Sequence, residues 1–209
     1  MTSQPTATSF ALLGLLGVQP WTAYELVAQT RRSLHYFWPR SEANLYAELK
    51  RIVARGHAEA EVVEGGGRQR TRYTITGKGR DALEDWLATE PAPPSIQVEA
   101  LLRMLLADQA SVEDLRAAVA TSQQQIREMM TGAVALGEDL LSTGGPFPER
   151  LHLTERVVAL YGGFLELFAQ WCEETSDEID SWSTTRDIGL TSQGRQRMEQ
   201  LVARAHEYL

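Results

Sequence analysis

Three observations set the predicted fold class. Apolar residues recur at helical spacing in three short segments between Ser9 and Arg55. Two strand-like segments follow, joined through Gly65-Gly66-Gly67. A proline cluster, Pro91-Ala92-Pro93-Pro94, then interrupts the chain, and every segment beyond it reads as helix. Together they predict a mainly α protein. Residues 1–90 form one domain (three helices, a β-hairpin, a helix), and residues 95–209 form an all-α domain.

The elements follow in order. Ser9 to Gly17 carries Phe10, Leu13 and Leu16 close to helical spacing, with Ser9 as the expected N-cap. Gly17 to Pro20 breaks the chain. Trp21 to Arg32 is the second helix, with Tyr24, Leu26, Val27 and Leu34 on or near its buried side. His35 to Arg40 is a loop, because Pro39 disfavours helix at Trp38. Ser41 to Arg55 is the third helix, capped by Ser41 and stopped by Gly56. Leu45, Leu49, Ile52 and Val53 share its apolar face. Glu59 to Val63 and Arg70 to Thr76 are the strands, with Tyr73 and Ile75 on one face and Arg70, Arg72 and Thr74 on the other. Thr76 caps a fourth helix carrying Ala82, Leu83, Trp86 and Leu87. Beyond the prolines four helices are expected, at about 96–107, 112–141, 149–176 and 191–208, with Ser111 and Asp114 forming a cap. Residues 180–189 read equally as an irregular link or as continued helix. Thr76-Gly-Lys-Gly and Thr191-Ser-Gln-Gly read as two threonine-capped helix starts rather than a repeat. So few long, stripe-like helices make a poor monomeric bundle, and a two-fold dimer sharing their apolar faces is the economical solution.

Charge is unevenly placed. The whole chain carries −8, yet residues 31–80 hold 11 Lys+Arg against 5 Asp+Glu, a net of +6. Residues 91–209 hold 9 against 18, a net of −9. A basic segment beside an acidic remainder suits a chain of which one part meets phosphate. A single cysteine, Cys172, excludes an internal disulfide and fits a cytoplasmic setting. Residues 1–9 have no secretory pattern, and no apolar run is long enough for a membrane helix.

Helix, helix, helix, strand, strand, helix is the plan of a winged helix-turn-helix. Such a third helix fits the major groove, where base edges present donor and acceptor patterns. Its outward face carries Ala43, Asn44, Ala47, Lys50, Arg51 and Ala54. Asn44 suits an adenine edge, Lys50 and Arg51 suit guanine or phosphate, and Ala43 and Ala47 allow close approach. Arg40 and Ser41 stand at the helix start, where free backbone N–H groups attract phosphate. Tyr46 borders the buried face, so core packing and phosphate contact are both open to it. The hairpin offers Arg68, Gln69, Arg70 and Arg72 to the backbone or the minor groove. Each of these features alone is usual for a solvated surface; their order along the chain gives them their weight.

Other chemistry is poorly served. The histidines (His35, His57, His152 and His206) show no ligand spacing, so no metal or cofactor is expected. No phosphate loop or nucleophile motif is present, Cys172 reads as a buried apolar residue, and an enzyme is not expected. The alternative is a winged-helix protein-interaction module that does not bind DNA. Tyr161, Phe164, Phe168 and Trp171, with Trp182, form an aromatic stripe that reads first as core. The same residues are a candidate effector pocket for a small aromatic molecule.

The chain also resembles the PadR family of transcriptional regulators. The matching residues are Phe10-Ala-Leu-Leu-Gly-Leu-Leu16, Tyr24-Glu-Leu26, Trp38-Pro39, Asn44-Leu-Tyr46 and Glu48-Leu-Lys-Arg51. Gly56, Arg72-Tyr-Thr-Ile-Thr76, Gly79-Arg80 and Leu83 to Leu87 continue the pattern. Similarity extends to 98–107 and 168–171, where the family has dimerising helices. The resemblance implies a homodimer that binds an inverted repeat in double-stranded DNA and represses. His57-Ala58 departs from the family's apolar pair, which predicts weaker packing of the first wing strand. The resemblance implies no role for the tail 181–209.

Overall fold

The computed structural model describes residues 4–65 and 68–209. The chain divides into two compact units, Met1–Pro94 and Ser95–Leu209. The fold class is the expected one: mainly helical, with a winged helix-turn-helix first and an all-α unit after it.

Helix α1 (Ala7–Val18) starts one turn earlier than its sequence suggested. Thr6, not Ser9, is the N-cap: its hydroxyl accepts from Ser9 N at 3.2 Å, and Ser9 Oγ accepts from Thr6 N at 3.3 Å. Leu12, Leu13, Leu15 and Leu16 are all buried, because α1 is surrounded by the rest of the unit. The pair Trp21–Thr22 is a short strand, β1, rather than the opening of a helix. A Thr22–Glu25 capping box then starts α2 (Ala23–Leu34). Tyr24 is 77% exposed, against expectation. It precedes Leu26 by two positions, about 200° around a helix, and so points away from the buried side.

Helix α3 (Glu42–Ala54) is capped by Ser41 and ends at Gly56, whose φ of 72° is left-handed. Leu45, Leu49 and Ile52 pack it onto α1 and α2. Strands β2 (Ala58–Gly65) and β3 (Arg68–Ile75) pair antiparallel, and β1 pairs with the other edge of β3, giving the order β1-β3-β2. Gly66 and Gly67, expected at the turn, lie outside the described residues, as does the side chain of Arg68. His57 and Ala58 are 7% and 2% exposed, and Ala58 joins the core. The imidazole is thus packed inside, and the strand starts at Ala58.

Helix α4 (Gly77–Leu87) is capped by Thr76. The Thr76 hydroxyl accepts from Gly79 N at 3.0 Å and donates to Gly56 O at 2.7 Å, so one side chain joins the end of α3 to the start of α4. Thr76→Ala is expected to cost about 1–2 kcal/mol, and Thr76→Ser much less. Urea unfolding of the two variants checks this.

The second unit is built on α6 (Val112–Thr143) and α7 (Leu151–Asp180), packed along each other. Ala107, Val112, Leu115, Val119, Cys172 and Ile179 form its core. Helix α5 (Glu99–Leu105) is shorter than predicted, and residues 95–98 are not helical: Val98, the residue before the helix, offers no capping side chain. Left-handed Gly144 stops α6, and a 3-10 turn at Pro148–Arg150 delays α7 to Leu151. Helix α7 continues past Ser176 to Asp180. The following link is irregular and is pinned by Thr185 Oγ1 on Ala110 O at 2.9 Å and Arg186 Nε on Asp108 O at 2.7 Å. Thr191 caps α8 (Ser192–His206), accepting from Gly194 N as Thr76 does from Gly79 N. No helix among the described residues is long and apolar enough to cross a membrane.

Candidate nucleic-acid interface

Helix α3 is held from three sides. Leu45, Leu49 and Ile52 are 2% exposed or less and fix its inner face. Ser41 Oγ accepts from Asn44 N at 3.3 Å, and Arg31 Nη1 meets Glu42 Oε1 at 2.5 Å, tying its first turn to the end of α2. The outer face that results presents Ala43, Asn44 and Lys50 to solvent, with Ala47 half-buried between them. This is the small-sided, polar and cationic surface that the sequence indicated.

Three residues of the expected set differ from their simplest reading. Tyr46 is half-buried and packs against the core, with part of its side chain left exposed. Arg40 is exposed but folded back: its guanidinium carbon lies 4.6 Å from the Trp38 ring centroid, and Nη1 donates to Pro39 O at 2.8 Å. Trp38 Nε1 in turn donates to Thr8 Oγ1 at 3.1 Å. Arg51 is paired with Glu48 across one helical turn.

The wing's outward face is mixed in charge. The register sets Arg72 opposite Glu61 and Arg70 opposite Val63 on this face, and Gln69 opposite Glu64 on the other. Thr22 flanks Arg72 on its other side. Glu25 lies below its ordinary carboxylate value. The Thr22 backbone N–H and hydroxyl dominate; burial opposes them, and the charges of Arg72 and Arg70 add to the lowering. Arg72 thus has Glu61 across the ladder, whereas Arg70 has no acid directly across from it; the charges of both act on Glu25. Glu61 and Glu25 beside this face are not evident from the sequence alone. The alternation of Glu59 and Glu61 was visible, but which arginine each one meets depends on the register.

In the second unit, Phe164, Phe168 and Trp171 stack in series along α7, with centroids 6.2 and 5.3 Å apart. Phe168, Trp171 and Trp182 pack onto the core around Cys172, and Tyr161 is half-buried on the same helix. A separate concavity of about 300 Å³ lies between α5 and α6, lined by Leu102, Leu106, Ala110 and Leu115 with Glu99, Arg103 and Asp114. None of the four aromatic residues lines it. Burial raises the Cys172 thiol above its ordinary value, with the Glu173 charge adding to it, so the sulfur stays a thiol.

A trihelical core presenting one outward helix beside a β-hairpin defines the first unit as a winged helix-turn-helix. Residues 12–85 match the model of the Transcriptional regulator PadR-like family. A curated relative, the negative transcriptional regulator PadR of Bacillus subtilis, is 28% identical over 96 residues. That match spans 45% of this chain and about half (53%) of the relative. Among solved structures, B. subtilis PadR in complex with operator DNA matches with a TM-score of 0.69 at 20% identity, over 83% of this chain and 99% of that one. The same protein in complex with p-coumaric acid matches at 0.63 and 19% identity, over 86% and 99%. These likenesses extend the shared fold well beyond the winged unit.

Proposed function

We propose that this protein is a cytoplasmic transcription regulator that binds an inverted-repeat operator in double-stranded DNA as a homodimer and represses. The carrying observation is the outward face of α3, where Asn44 and Lys50 stand among small side chains on a helix whose inner face is packed into the core. Base edges in the major groove are read by such side chains, while cations on the wing set register through phosphates. In this reading residues 1–90 are the DNA-binding domain and 95–209 the dimerising one.

The dimer has its own support. Leu101, Leu102 and Leu105 on α5 and Leu106 just after it are 46–77% exposed, and Leu160 and Leu167 on α7 are 80% and 66% exposed. An apolar surface of that extent on a chain with charged residues to spare marks an association face. A small aromatic effector fits by analogy with the relative whose complex with p-coumaric acid is solved. The aromatic stack of α7 is the group it would meet, and its binding would change the spacing of the two DNA-reading helices.

Footprinting on the DNA upstream of the protein's own gene tests the reading. Two equal protected patches about one helical turn apart are expected. No protection of any fragment at low salt overturns the proposal and favours a protein-interaction role. Lys50→Ala and Arg70→Ala are each expected to weaken operator binding about tenfold and to lower the slope of log K against log salt by about one. Unchanged slopes in a fluorescence-anisotropy titration would show the contact face to be elsewhere.

A further inference from the structure

A carboxylate is buried under α3, where its neighbours are leucines. Glu48 is 2% exposed and lies on the inward side of the helix, beside Leu45, Leu49 and Ile52. Its Oε2 accepts from Ser9 Oγ at 2.5 Å, and its Oε1 takes the Arg51 guanidinium. Ser9 is itself fully buried and, as the third residue of α1, closes the capping box that Thr6 opens. A buried carboxylate is costly unless both oxygens are satisfied, and here they are. Burial pushes the carboxyl up, but the hydrogen bonds from Ser9, Arg51 and Thr6 and the Arg51 charge together hold it below its ordinary value.

We infer that Glu48 is a positioning residue of the DNA-facing helix: its buried carboxylate ties α3 to the first turn of α1 and holds the Arg51 guanidinium against the helix, away from a duplex. This rests on the proposed function of α3. Leucine packing is non-directional and leaves a helix some freedom to roll, whereas the Ser9–Glu48 bond fixes one roll angle. Base reading depends on that angle, because each side chain must meet its base edge in hydrogen-bond geometry. Phosphate contacts are more tolerant. Arg51 is 53% exposed at the side chain, so releasing it adds a cation that any phosphate backbone can attract. Glu48 therefore favours sequence discrimination over indiscriminate attraction.

The experiment uses the full chain with two duplexes of equal length, one selected from fragments upstream of its gene and one of random sequence, each titrated across salt. Glu48→Gln is expected to bind the selected duplex about tenfold more weakly. Its binding to the random duplex holds or tightens, and the salt slope there steepens by about one. Adding Arg51→Ala to that variant returns the slope. Ser9→Ala, which keeps the carboxylate, weakens selected-duplex binding with the slope unchanged. An unchanged selected-to-random ratio in both Glu48→Gln and Ser9→Ala overturns the inference, and so does a one-unit loss of slope from Arg51→Ala alone. If the wild-type chain binds no duplex at low salt, the proposed function fails. The positioning role is then read from the Arg51 side-chain N–H signals by NMR. Slow exchange in the wild type that is lost in Glu48→Gln supports it, and equal exchange in the two overturns it.

Discussion

Gly79→Ala is expected to destabilise the winged unit by at least about 2 kcal/mol, the upper part of the range for an overpacked site. In an ordinary exposed helix the same change favours folding by up to about 1 kcal/mol. Here the new Cβ falls 2.0 Å from the backbone oxygen of His57, 2.9 Å from its carbonyl carbon and 3.0 Å from Ile75 Cγ1. The obstacle is main chain, so no rotamer change relieves it. That carbonyl also accepts from Thr76 N at 3.1 Å, so moving it breaks the joint between β2 and the cap of α4. Ala58 and Ile75, both in the core, would be dragged with it. Gly77, two residues earlier in the same helix, has nothing within 4 Å of an added Cβ. Gly77→Ala is therefore the control, expected to be neutral or mildly stabilising. Thermal unfolding followed by circular dichroism separates them, and equal midpoints for Gly79→Ala and the wild type would refute the close approach.

This joint also shows what was legible in the sequence. Thr76, Gly56 and the stripe of α3 were readable because caps, left-handed glycines and helical periodicity are local signals. Gly79 drew notice as part of a family pattern, but its physical reason lies in a carbonyl 22 residues upstream, which no local rule supplies. The same holds for the candidate site. Asn44 and Lys50 were found correctly on the outer face, since periodicity alone decides which way a helical residue points. The fate of Arg51 depends on Glu48 turning inward to Ser9, 39 positions away. Arg72 was read as an available cation, and only the strand register reveals Glu61 across from it. Ser9 reads as a cap because a serine before an apolar run usually is one; Thr6, three residues earlier, competes for that role and wins by completing a reciprocal capping box.

The second large effect is expected from acid. Stability of the winged unit should fall in two stages below neutral pH, first below about 6.5 and again below about 4.5, the ordinary values of His57 and Glu48. His57 is 7% exposed, and its Nδ1 has no hydrogen-bond partner among the described residues. Burial holds it below its ordinary value, and the charges of Lys78 and Arg55 lower it further. An unfolded chain therefore takes up a proton near pH 6.5 while the folded one does not. Unfolding becomes easier as pH falls, by at most about 1.4 kcal/mol per pH unit for that proton, until the folded imidazole is itself titrated. Glu48 acts in the same direction lower down. Its folded carboxylate resists protonation, so the stability present above 4.5 is lost as pH falls through the depressed folded value. Glu25, also lowered, joins this second stage. The stages can be assigned by variant. His57→Leu restores an apolar pair beside Ala58 and should flatten the upper stage while leaving the lower one. Glu48→Gln should lower stability at pH 7 and flatten the lower stage. Urea midpoints measured from pH 8 to pH 4 decide the matter, and an upper stage that survives in His57→Leu would place its origin in some other group.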